Sequence, residues 1–244
     1  MRILTIISNY NEQAAIESSI QNFQKDASIS SDLLVIDNSS TDRSLELIRR
    51  AGVDYLRHPV NTGGSAGVIK TALLYAETQG YDVYCHMDGD NQHNGRELAK
   101  LVQPIQAGEA DLVIGSRFLT GEGFQSLAVR KVGIFSFSRL LSWLTGQRIS
   151  DLTSGFRAYN RRAIAFFARQ YKHEFEACVQ MVMVASYAGL RIREVPVIMN
   201  PRLTGKSEIN LRNAVKFPLY GLIAIVGTRL QKPAIKRLAH DLDP

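Results

Sequence analysis

Two aspartates one residue apart end a run of strand-forming residues in the stretch YCHMDGDNQH, residues 84–93. Carboxylates spaced like Asp88 and Asp90 can share a divalent cation with the oxygens of a diphosphate, and Gln92 offers another oxygen. Mg²⁺ and Mn²⁺ prefer such ligands, completed by substrate phosphate and water. The cation would also stabilise the diphosphate as a leaving group. The spacing alone is a weak signal, because Asp and Gly are common in surface turns.

The elements that must position these residues are predicted from an alternation of short apolar runs with helical patterns. The apolar runs are residues 3–7, 33–36, 53–56, 82–87 and 112–115. Between them, apolar residues recur at spacings of three, four and seven, which place each set on one helical face. This alternation predicts an α/β fold with a mainly parallel central sheet flanked by helices. We expect Ser40 or Thr41 to cap the second helix and Asn94 the fourth.

Polar clusters follow three of the apolar runs directly. They are SNYNE (residues 8–12), DNSSTD (37–42) and DGDNQH (88–93). Ligands of open α/β sheets bind beyond the carboxyl ends of the strands. We therefore expect the three clusters to meet at one edge of the sheet and to form a ligand site there.

Chain length and cysteine usage indicate the setting. A chain of 244 residues, 45% hydrophobic and 21% charged, is expected to form one large globular domain. Two cysteines, Cys85 and Cys178, suggest neither a disulfide framework nor a zinc site. The apolar run at the N-terminus is short and has one basic residue, so it is interpreted as a first strand and not as a signal peptide. These features favour a cytoplasmic protein.

The C-terminal region is basic and contains an uncharged apolar stretch. Residues 200–240 hold eight Lys or Arg and one acid, Glu208, around the uncharged residues 217–228. As a helix this stretch would span only about 18 Å, against a hydrocarbon core of about 30 Å. We expect it not to cross a membrane. It could lie on the inner membrane face, since anionic headgroups attract Lys and Arg; the alternative is a packed terminal helix with a solvated basic face.

The order of the polar motifs resembles that of the family 2 inverting glycosyltransferases. The motifs are SNYNE, VIDNSSTD, NTGGSAG, HMDGDNQH, DLVIGSRF, DLTSGFRAYNR, EVPV and PRLTGKS. The likeness covers roughly residues 3–210 and is greatest to the branch that contains dolichol-phosphate mannose synthases and bacterial polyprenyl-phosphate glycosyltransferases. It implies a GT-A fold over residues 1–212, with a nucleotide-sugar-binding half (1–118), an acceptor half (119–212) and an appended C-terminal segment (213–244).

The resemblance also implies a donor site. Its donor-binding residues would be Asn9, Tyr10, Asn11, Glu12, Asp37, Asn38, Gly64, Asp88, Gly89 and Arg117. Asp37 would accept hydrogen bonds from the base, and Arg117 would contact phosphate. The divalent cation would be held by Asp88, Asp90 and Gln92, with Asp90 also counted as catalytic.

The acceptor and its phosphate would be bound by basic and polar residues of the second half. These residues are Arg130, Lys131, Ser154, Arg157 and Arg202. Guanidinium groups suit this role because they bind phosphate bidentately.

Asp151 is the best candidate for the catalytic carboxylate, with Glu174 and Glu176 as runners-up. An alcohol acceptor needs a general base, whereas a phosphate acceptor is already anionic, so that Asp151 would then orient the acceptor or the metal. We call residues 88–93, with the predicted metal ligands, the metal loop. His86 and His93 are expected to support this loop by hydrogen bonds.

The expected function is therefore metal-dependent, inverting transfer of a sugar from a UDP- or GDP-sugar to a polyprenyl phosphate. One alternative is the same chemistry on a saccharide acceptor in cell-surface polysaccharide synthesis. Less favoured are a sugar-phosphate nucleotidyltransferase, which should carry a Gly- and Arg-rich loop after its first strand, and an inactive nucleotide-binding module. Residues 63–67 do not fit G-x-G-x-x-G, which argues against a dehydrogenase. We expect no nucleic-acid partner.

Overall fold

The computed structural model describes residues 1–119, 128–170, 177–201 and 211–240, and within these ranges it leaves out the side chains of residues 128–134, 170, 177 and 211–219. The strands of the described ranges are β1 (Ile3–Asn9), β2 (Asp32–Asp37), β3 (Asp54–Arg57), β4 (Val83–Asp88), β5 (Leu112–Ser116), β6 (Arg157–Asn160) and β7 (Ile192–Pro196). The helices are α1 (Ile16–Asp26), α2 (Ser44–Arg50), α3 (Ser65–Thr78), α4 (Leu98–Gln106), α5 (Ala128–Thr145), α6 (Arg161–Gln170), α7 (Ala177–Tyr187), α8 (Leu211–Leu230) and α9 (Lys232–His240).

These strands form one seven-stranded sheet in the order β3-β2-β1-β4-β6-β5-β7. The pairs β1–β2, β1–β4, β2–β3 and β5–β7 are parallel. Strand β6 runs antiparallel to both of its neighbours, β4 and β5. The predicted α/β class and mainly parallel sheet are confirmed, and all five predicted strands of the first half are present. The sequence did not indicate β6, whose four residues, RAYN, follow a polar loop.

Two hydrophobic cores cover the faces of the sheet. Alternation along β4 sends Tyr84 into one core and its neighbour Cys85 into the other. The first core packs α3, α6 and α7 on the sheet, and the second packs α1 and α4. Complete burial of a large aliphatic side chain contributes about 1.5–3 kcal/mol, so the strand ends are carried on a rigid base.

Capping of α2 differs from the prediction. The backbone N–H of Ser44 donates to Asp42 Oδ1 at 2.9 Å, so Asp42 supplies the cap. Ser40 does not cap the helix, because its Oγ accepts hydrogen bonds from Asn9 Nδ2 and from the backbone N–H of Asn11. Thr41 lies farther from the helix start than Asp42. Its backbone N–H donates to Asn11 Oδ1, in the loop after β1. The prediction of Ser40 or Thr41 as the cap was wrong.

The start of α4 follows the prediction. Asn94 Oδ1 accepts the backbone N–H of Arg96 at 3.0 Å and caps a short 3-10 turn, Gly95–Glu97, that leads directly into α4. Further along, helices α6 and α7 lie on either side of residues 171–176, which are outside the described ranges. None of the helices in the described ranges is both long and apolar enough to cross a bilayer.

Candidate active site

Three polar residues lie side by side at the carboxyl ends of adjacent parallel strands. Asn9 ends β1, Asp37 ends β2 and Asp88 ends β4. In the sheet register Asn9 pairs with Asp37, and Ser8 pairs with Asp88. Asn9 Nδ2 donates to Asp37 Oδ1 at 2.7 Å, and Ser8 Oγ donates to Asp88 Oδ1 at 3.2 Å. The predicted convergence of the three clusters at one sheet edge is confirmed.

Asp37 lies beneath this edge and is fully buried. Besides Asn9, its carboxylate accepts the backbone N–H of Ser40 at 3.1 Å and the Ser40 hydroxyl at 2.5 Å. The guanidinium of Arg57 lies 3.7 Å from its second oxygen. Both oxygens therefore have partners within the chain and fix the turn after β2. Contact between Asp37 and a base stays a prediction.

Asn38 holds the glycine-containing loop in front of α3. Its side chain is buried, its Nδ2 donates to the carbonyl of Gly64 at 3.1 Å, and its Oδ1 accepts the backbone N–H of Thr62 at 3.0 Å. Gly64 has φ +84°, a left-handed conformation that favours glycine, and α3 begins at the next residue. The loop is thus presented at the same edge, with Asn38 as its support.

Residues 10–12 form the exposed rim of the site. Asn11 is bonded to the second cluster, because its backbone N–H donates to Ser40 Oγ at 2.9 Å and its Oδ1 accepts the Thr41 N–H at 2.9 Å. The ring of Tyr10 is exposed beside it, and the carbonyl of Glu12 starts the turn into α1. An exposed aromatic ring at this edge offers a surface on which a base can stack.

Two buried histidines, His86 and His93, lie next to the carboxylate of Asp88. The N–H of Asp88 donates to His93 Nδ1 at 2.9 Å, which leaves the His93 Nε2 edge 3.7 Å from Asp88 Oδ2. His86 Nε2 lies 3.5 Å from Oδ1. Burial alone would raise the pKa of the Asp88 carboxyl, but the neighbouring rings of His93 and His86 outweigh it and lower that pKa. Asp88 is therefore anionic at neutral pH, and both histidines contact the loop as predicted.

The rest of the metal loop is fixed by close packing against β1 and α1. A Cβ added to Gly89 would lie 2.8 Å from the carbonyl oxygen of Ser8, so residue 89 must be glycine. The Gly89 carbonyl accepts the hydroxyl of Ser19 from α1 at 2.9 Å. Asp90 is buried, and its Oδ1 accepts the backbone N–H of Gln92 at 3.0 Å.

The SGFR motif approaches Asp88 from the other side. A Cβ added to Gly155 would lie 2.7 Å from Asp88 Oδ2. Arg157 is buried, and its guanidinium donates to the carbonyls of Ser154 at 2.8 Å and Leu152 at 2.9 Å. Ser154 is also buried. Both side chains brace the loop against the metal motif, and the acceptor contacts expected of them stay predictions.

Arg117 and Asp151 form a buried bidentate ion pair. Arg117 Nε donates to Oδ2 and a terminal guanidinium nitrogen donates to Oδ1, both at 2.7 Å, and the Arg117 backbone N–H also donates to Oδ2. Thr153 Oγ1 accepts a further guanidinium N–H at 2.7 Å. Asp151 is fully buried, so it presents no exposed oxygen to an acceptor. A role as general base stays a prediction that would require the pair to separate.

Glu194 in β7 supports this pair, although no role was predicted for this residue from its motif EVPV. Its carboxylate accepts the backbone N–H and the hydroxyl of Ser150, both at 2.7 Å, and the backbone N–H of Asp151 at 2.8 Å. Burial raises the pKa of Glu194. The signal that could have revealed it is the position of Glu194 two residues after the buried Ile192, on the same face of the strand.

Several predicted acceptor residues cannot be placed against this geometry. Arg130 and Lys131 lie in the first turn of α5, where side chains are outside the described part of the structure. Arg202, Glu174 and Glu176 lie outside the described residues altogether. Their roles stay predictions.

The chemistry of the metal loop fits a divalent cation shared with a substrate. In the described part of the chain, no three His, Cys, Asp or Glu side chains cluster so as to enclose a metal ion by themselves. Asp88 and Asp90 supply two carboxylates and Gln92 an amide. Mg²⁺ is typically held by one or two carboxylates together with substrate phosphates and water. The donor set therefore matches an ion that arrives with a diphosphate.

The mainly parallel seven-stranded sheet with helices on both faces is that of the GT-A glycosyltransferase fold. The sequence profile described as "Glycosyl transferase family 2" matches residues 5–166, and the chain belongs to that family of glycosyltransferases.

Three similar proteins illustrate the family and the fold. Undecaprenyl-phosphate mannosyltransferase from Micrococcus luteus is 31% identical over 226 residues, covering 86% of this chain and 88% of that protein. UDP-N-acetylglucosamine–dolichyl-phosphate N-acetylglucosaminyltransferase from Methanococcus voltae is 27% identical, covering 80% and 84%. Glucosyl-3-phosphoglycerate synthase from Mycobacterium tuberculosis, solved with Mn²⁺, UDP and glucosyl-3-phosphoglycerate, superposes with a TM-score of 0.64 at 17% identity, covering 93% and 79%. The solved structure shows likeness of fold.

Proposed function

We propose that this glycosyltransferase moves a sugar from a nucleotide-diphospho-sugar to a polyprenyl phosphate, with a divalent cation and with inversion at the anomeric carbon. The observation that carries the proposal is the loop of Asp88 and Asp90 at the meeting point of three strand ends. That loop offers two carboxylates next to an exposed aromatic rim, as a nucleoside diphosphate requires.

Donor binding would divide between the rim and the metal loop. Tyr10 and the loops supported by Asp37 and Asn38 would hold the nucleoside. Asp88, Asp90 and Gln92 would hold Mg²⁺ or Mn²⁺. Such a cation, when bound, neutralises the diphosphate and stabilises it as a leaving group. Use of Mn²⁺ by a neighbour of the same fold supports this assignment.

The buried pairing of Asp151 favours a phosphate acceptor over an alcohol. An alcohol must lose a proton to a base as it attacks, whereas a phosphate monoester attacks as an anion. Among the described residues, Asp151 was the best candidate base, and both of its oxygens are bound by Arg117. Two relatives named for undecaprenyl and dolichyl phosphate support the same acceptor class.

A lipid acceptor requires that the enzyme contact a membrane surface. Helices α5 and α8 carry exposed side chains suited to that contact. The two helices pack together closely, since a Cβ added to Gly221 would lie 2.7 Å from the ring of Phe137. Their outward side chains include large exposed apolar residues: Phe135, Trp143, Leu222, Ile223, Val226 and Leu230. Exposed cations lie on and beside them, at Arg139, Arg148, Arg229, Lys232, Lys236 and Arg237. This surface, the α5–α8 face, has the apolar and basic composition that anionic bilayers attract.

A direct transfer assay tests the proposal. Purified protein is incubated with a panel of radiolabelled UDP- and GDP-sugars, Mn²⁺ and a short-chain polyprenyl phosphate in detergent. We expect label in the lipid phase, none in excess EDTA, and an anomeric configuration opposite to that of the donor. Transfer only to added oligosaccharides would favour the saccharide acceptor. Formation of a nucleotide sugar from a nucleoside triphosphate and a sugar phosphate would instead identify a nucleotidyltransferase.

A further inference from the structure

A buried histidine, His58, lies directly after β3, at the same sheet edge as the strand ends of the candidate site. Its backbone N–H donates to the carbonyl of Asp37 at 2.9 Å, and the pairing of β2 with β3 ends at Asp37 and Arg57. The row of polar residues at the carboxyl ends of β4, β1 and β2 therefore continues onto β3 with His58. No role was predicted for this residue from the sequence.

Both ring nitrogens of His58 have hydrogen-bonding partners. Nδ1 lies 2.9 Å from Asn38 Oδ1, and Nε2 lies 2.9 Å from Thr71 Oγ1 in α3. The Asn38 amide has one possible orientation, because its Nδ2 donates to the carbonyl of Gly64 and its Oδ1 accepts the backbone N–H of Thr62. An amide oxygen can only accept, so His58 Nδ1 must carry a proton and donate it.

The second nitrogen of His58 is then an acceptor. Burial lowers the pKa of His58, although the charge of Asp37 opposes this shift, so the ring is neutral at neutral pH. A neutral imidazole with its proton on Nδ1 has a lone pair on Nε2, which can accept the hydroxyl of Thr71. That hydroxyl has a second acceptor in the carbonyl of Gly67, at 3.1 Å. His58 thus joins Asn38 to α3.

Asn38 in turn closes the loop of residues 61–64, the glycine loop. Thr62 Oγ1 donates to Asn38 Oδ1 at 2.8 Å, in addition to the backbone bond from the same residue. A Cβ added to Gly67 would collide with Thr62 Oγ1, so the first turn of α3 packs directly on this side chain. The shape of the glycine loop therefore depends on the position of the Asn38 amide.

The other end of the glycine loop lies near the metal loop. Ser65 follows the glycine loop and begins α3, and it lines the same cavity as Asp88. Asn38, at the first end, follows Asp37 at the end of β2. The glycine loop thus extends along the edge at which the proposed nucleoside diphosphate would bind.

We propose that His58 is a positioning residue for the donor, because its Nδ1–H holds Asn38 and thereby keeps the glycine loop in the shape that accepts a nucleoside diphosphate. Asn38 is buried, and both ends of its amide are bonded within the chain. It therefore acts on the donor through the glycine loop. This inference rests on the proposed function, in which Asp88 and Asp90 hold the diphosphate through a divalent cation.

Two substitutions with amide side chains test the two nitrogens of His58 separately. The amide nitrogen of Asn is as many bonds from the backbone as Nδ1, and that of Gln is as many as Nε2. His58→Asn can therefore still donate to Asn38, whereas His58→Gln can reach Thr71 and leaves Asn38 without this donor. Both variants lose the ring, so they share the cost of lost packing.

Titration calorimetry with Mn²⁺ measures the effect on the donor site, using whichever of UDP and GDP binds the wild-type protein. We expect His58→Gln to lower that affinity about tenfold, as the loss of one hydrogen bond allows. His58→Asn should bind like the wild type. Thr71→Val is the matched control, because it removes the partner of Nε2 and leaves the bond from Nδ1 to Asn38 in place, so it should also bind like the wild type.

Amide hydrogen exchange of the protein without nucleotide measures the glycine loop itself. Local opening exposes backbone N–H groups to exchange. We expect faster exchange over residues 61–67 in His58→Gln, and wild-type exchange there in His58→Asn and Thr71→Val. If His58→Gln does not fold, His58→Asn still decides the question, because a loosened loop or tenfold weaker binding in that variant would contradict the role of Nδ1.

Equal loss of affinity in His58→Asn and His58→Gln would show that the histidine only fills space. Wild-type affinity in both would show that the donor site does not depend on it. Either result overturns the inference while the transfer assay remains positive. A wild-type protein that binds neither UDP nor GDP and transfers no sugar would instead contradict the proposed function itself.

Discussion

Gly155 stands so close to Asp88 that a Cβ on residue 155 would lie 2.7 Å from Asp88 Oδ2. Residue 155 of the SGFR motif must therefore be glycine, because it packs directly against Asp88 of the metal loop. We expect Gly155→Ala to displace the Asp88 carboxylate and to weaken Mn²⁺-dependent binding of nucleoside diphosphate by tenfold or more, in the range of about 10–100-fold seen when supports of metal ligands are lost. Titration calorimetry with and without Mn²⁺ measures this change.

Gly108→Ala is the control for general destabilisation. Gly108 has φ +68° and no atom within 4 Å of an added Cβ, so its substitution strains only the backbone. A left-handed non-glycine residue costs about 1–2 kcal/mol, which should lower the midpoint of unfolding without changing nucleotide affinity. Normal nucleotide binding by Gly155→Ala would show that the position of Asp88 is not critical.

Asp90→Asn tests the cation directly. Asn keeps an oxygen that can accept the backbone N–H of Gln92, so the loop should retain its shape. Loss of one anionic ligand should reduce kcat/KM by about 100-fold or more, since even outer supports of metal ligands are worth about 10–100-fold. Rates are measured over a range of Mn²⁺ concentrations with circular dichroism as the check on folding. Full wild-type activity in excess EDTA would contradict a metal-dependent mechanism.

Asp151→Asn separates a structural role from a catalytic one. The buried guanidinium of Arg117 would lose its counter-charge, and breaking a buried ion pair costs about 3–5 kcal/mol. We expect a fall of about 3 kcal/mol in the free energy of unfolding, together with loss of turnover. Urea unfolding and steady-state kinetics measure the two quantities. A variant as stable as the wild type but inactive would instead identify Asp151 as a base that acts on the acceptor.

Much of the fold of residues 1–118 could be predicted from sequence because the signals there are local. Each signal spans only a few residues of sequence. This holds for the apolar runs, for the helical spacings and for the polar clusters after β1, β2 and β4. The rule that ligands bind at the carboxyl ends of parallel strands then brings the clusters together. Asn94 was found as a cap for the same reason, since its partner Arg96 is two residues away.

The parts that could not be predicted depend on contacts between distant residues. Strand β6 is four residues long and is defined by its antiparallel partners β4 and β5. Arg117 and Asp151 lie 34 positions apart in the sequence. Their ion pair buries the carboxylate that the sequence predicted as a candidate base. Glu194 lies 43 positions from Asp151, and only the folded sheet places its carboxylate under that loop.

Glu194→Gln should change how stability depends on pH. Burial raises the pKa of Glu194, so the fold favours the protonated carboxyl. This contribution is fully present below the ordinary glutamate pKa of about 4.3 and is lost as pH rises through the raised value. The stability of wild type relative to Glu194→Gln should therefore be greatest at acidic pH and shrink toward neutrality. Urea unfolding from pH 4 to 7 measures it, and a difference that grows with pH would contradict the assignment.

The α5–α8 face should bind anionic membranes. Leu222, Val226 and Trp143 are exposed there, and the exposed cations Arg229 and Lys232 lie at the end of α8 and the start of α9. We expect the protein to float with vesicles that contain anionic lipid at low salt. Binding should weaken as salt rises, because the Debye length shortens from about 30 Å at 0.01 M to about 10 Å at 0.1 M.

Two sets of substitutions show whether the α5–α8 face is responsible for membrane binding. Leu222→Ser with Val226→Ser removes apolar area that would enter the interface and should abolish flotation while leaving binding of nucleoside diphosphate intact. Leu74→Ser is the matched control, because Leu74 is also exposed but lies on α3, away from α5 and α8. Equal loss of flotation in both variants would point to non-specific adsorption. If the wild-type protein ignores anionic vesicles at low salt, the lipid acceptor loses its support and a saccharide acceptor is favoured.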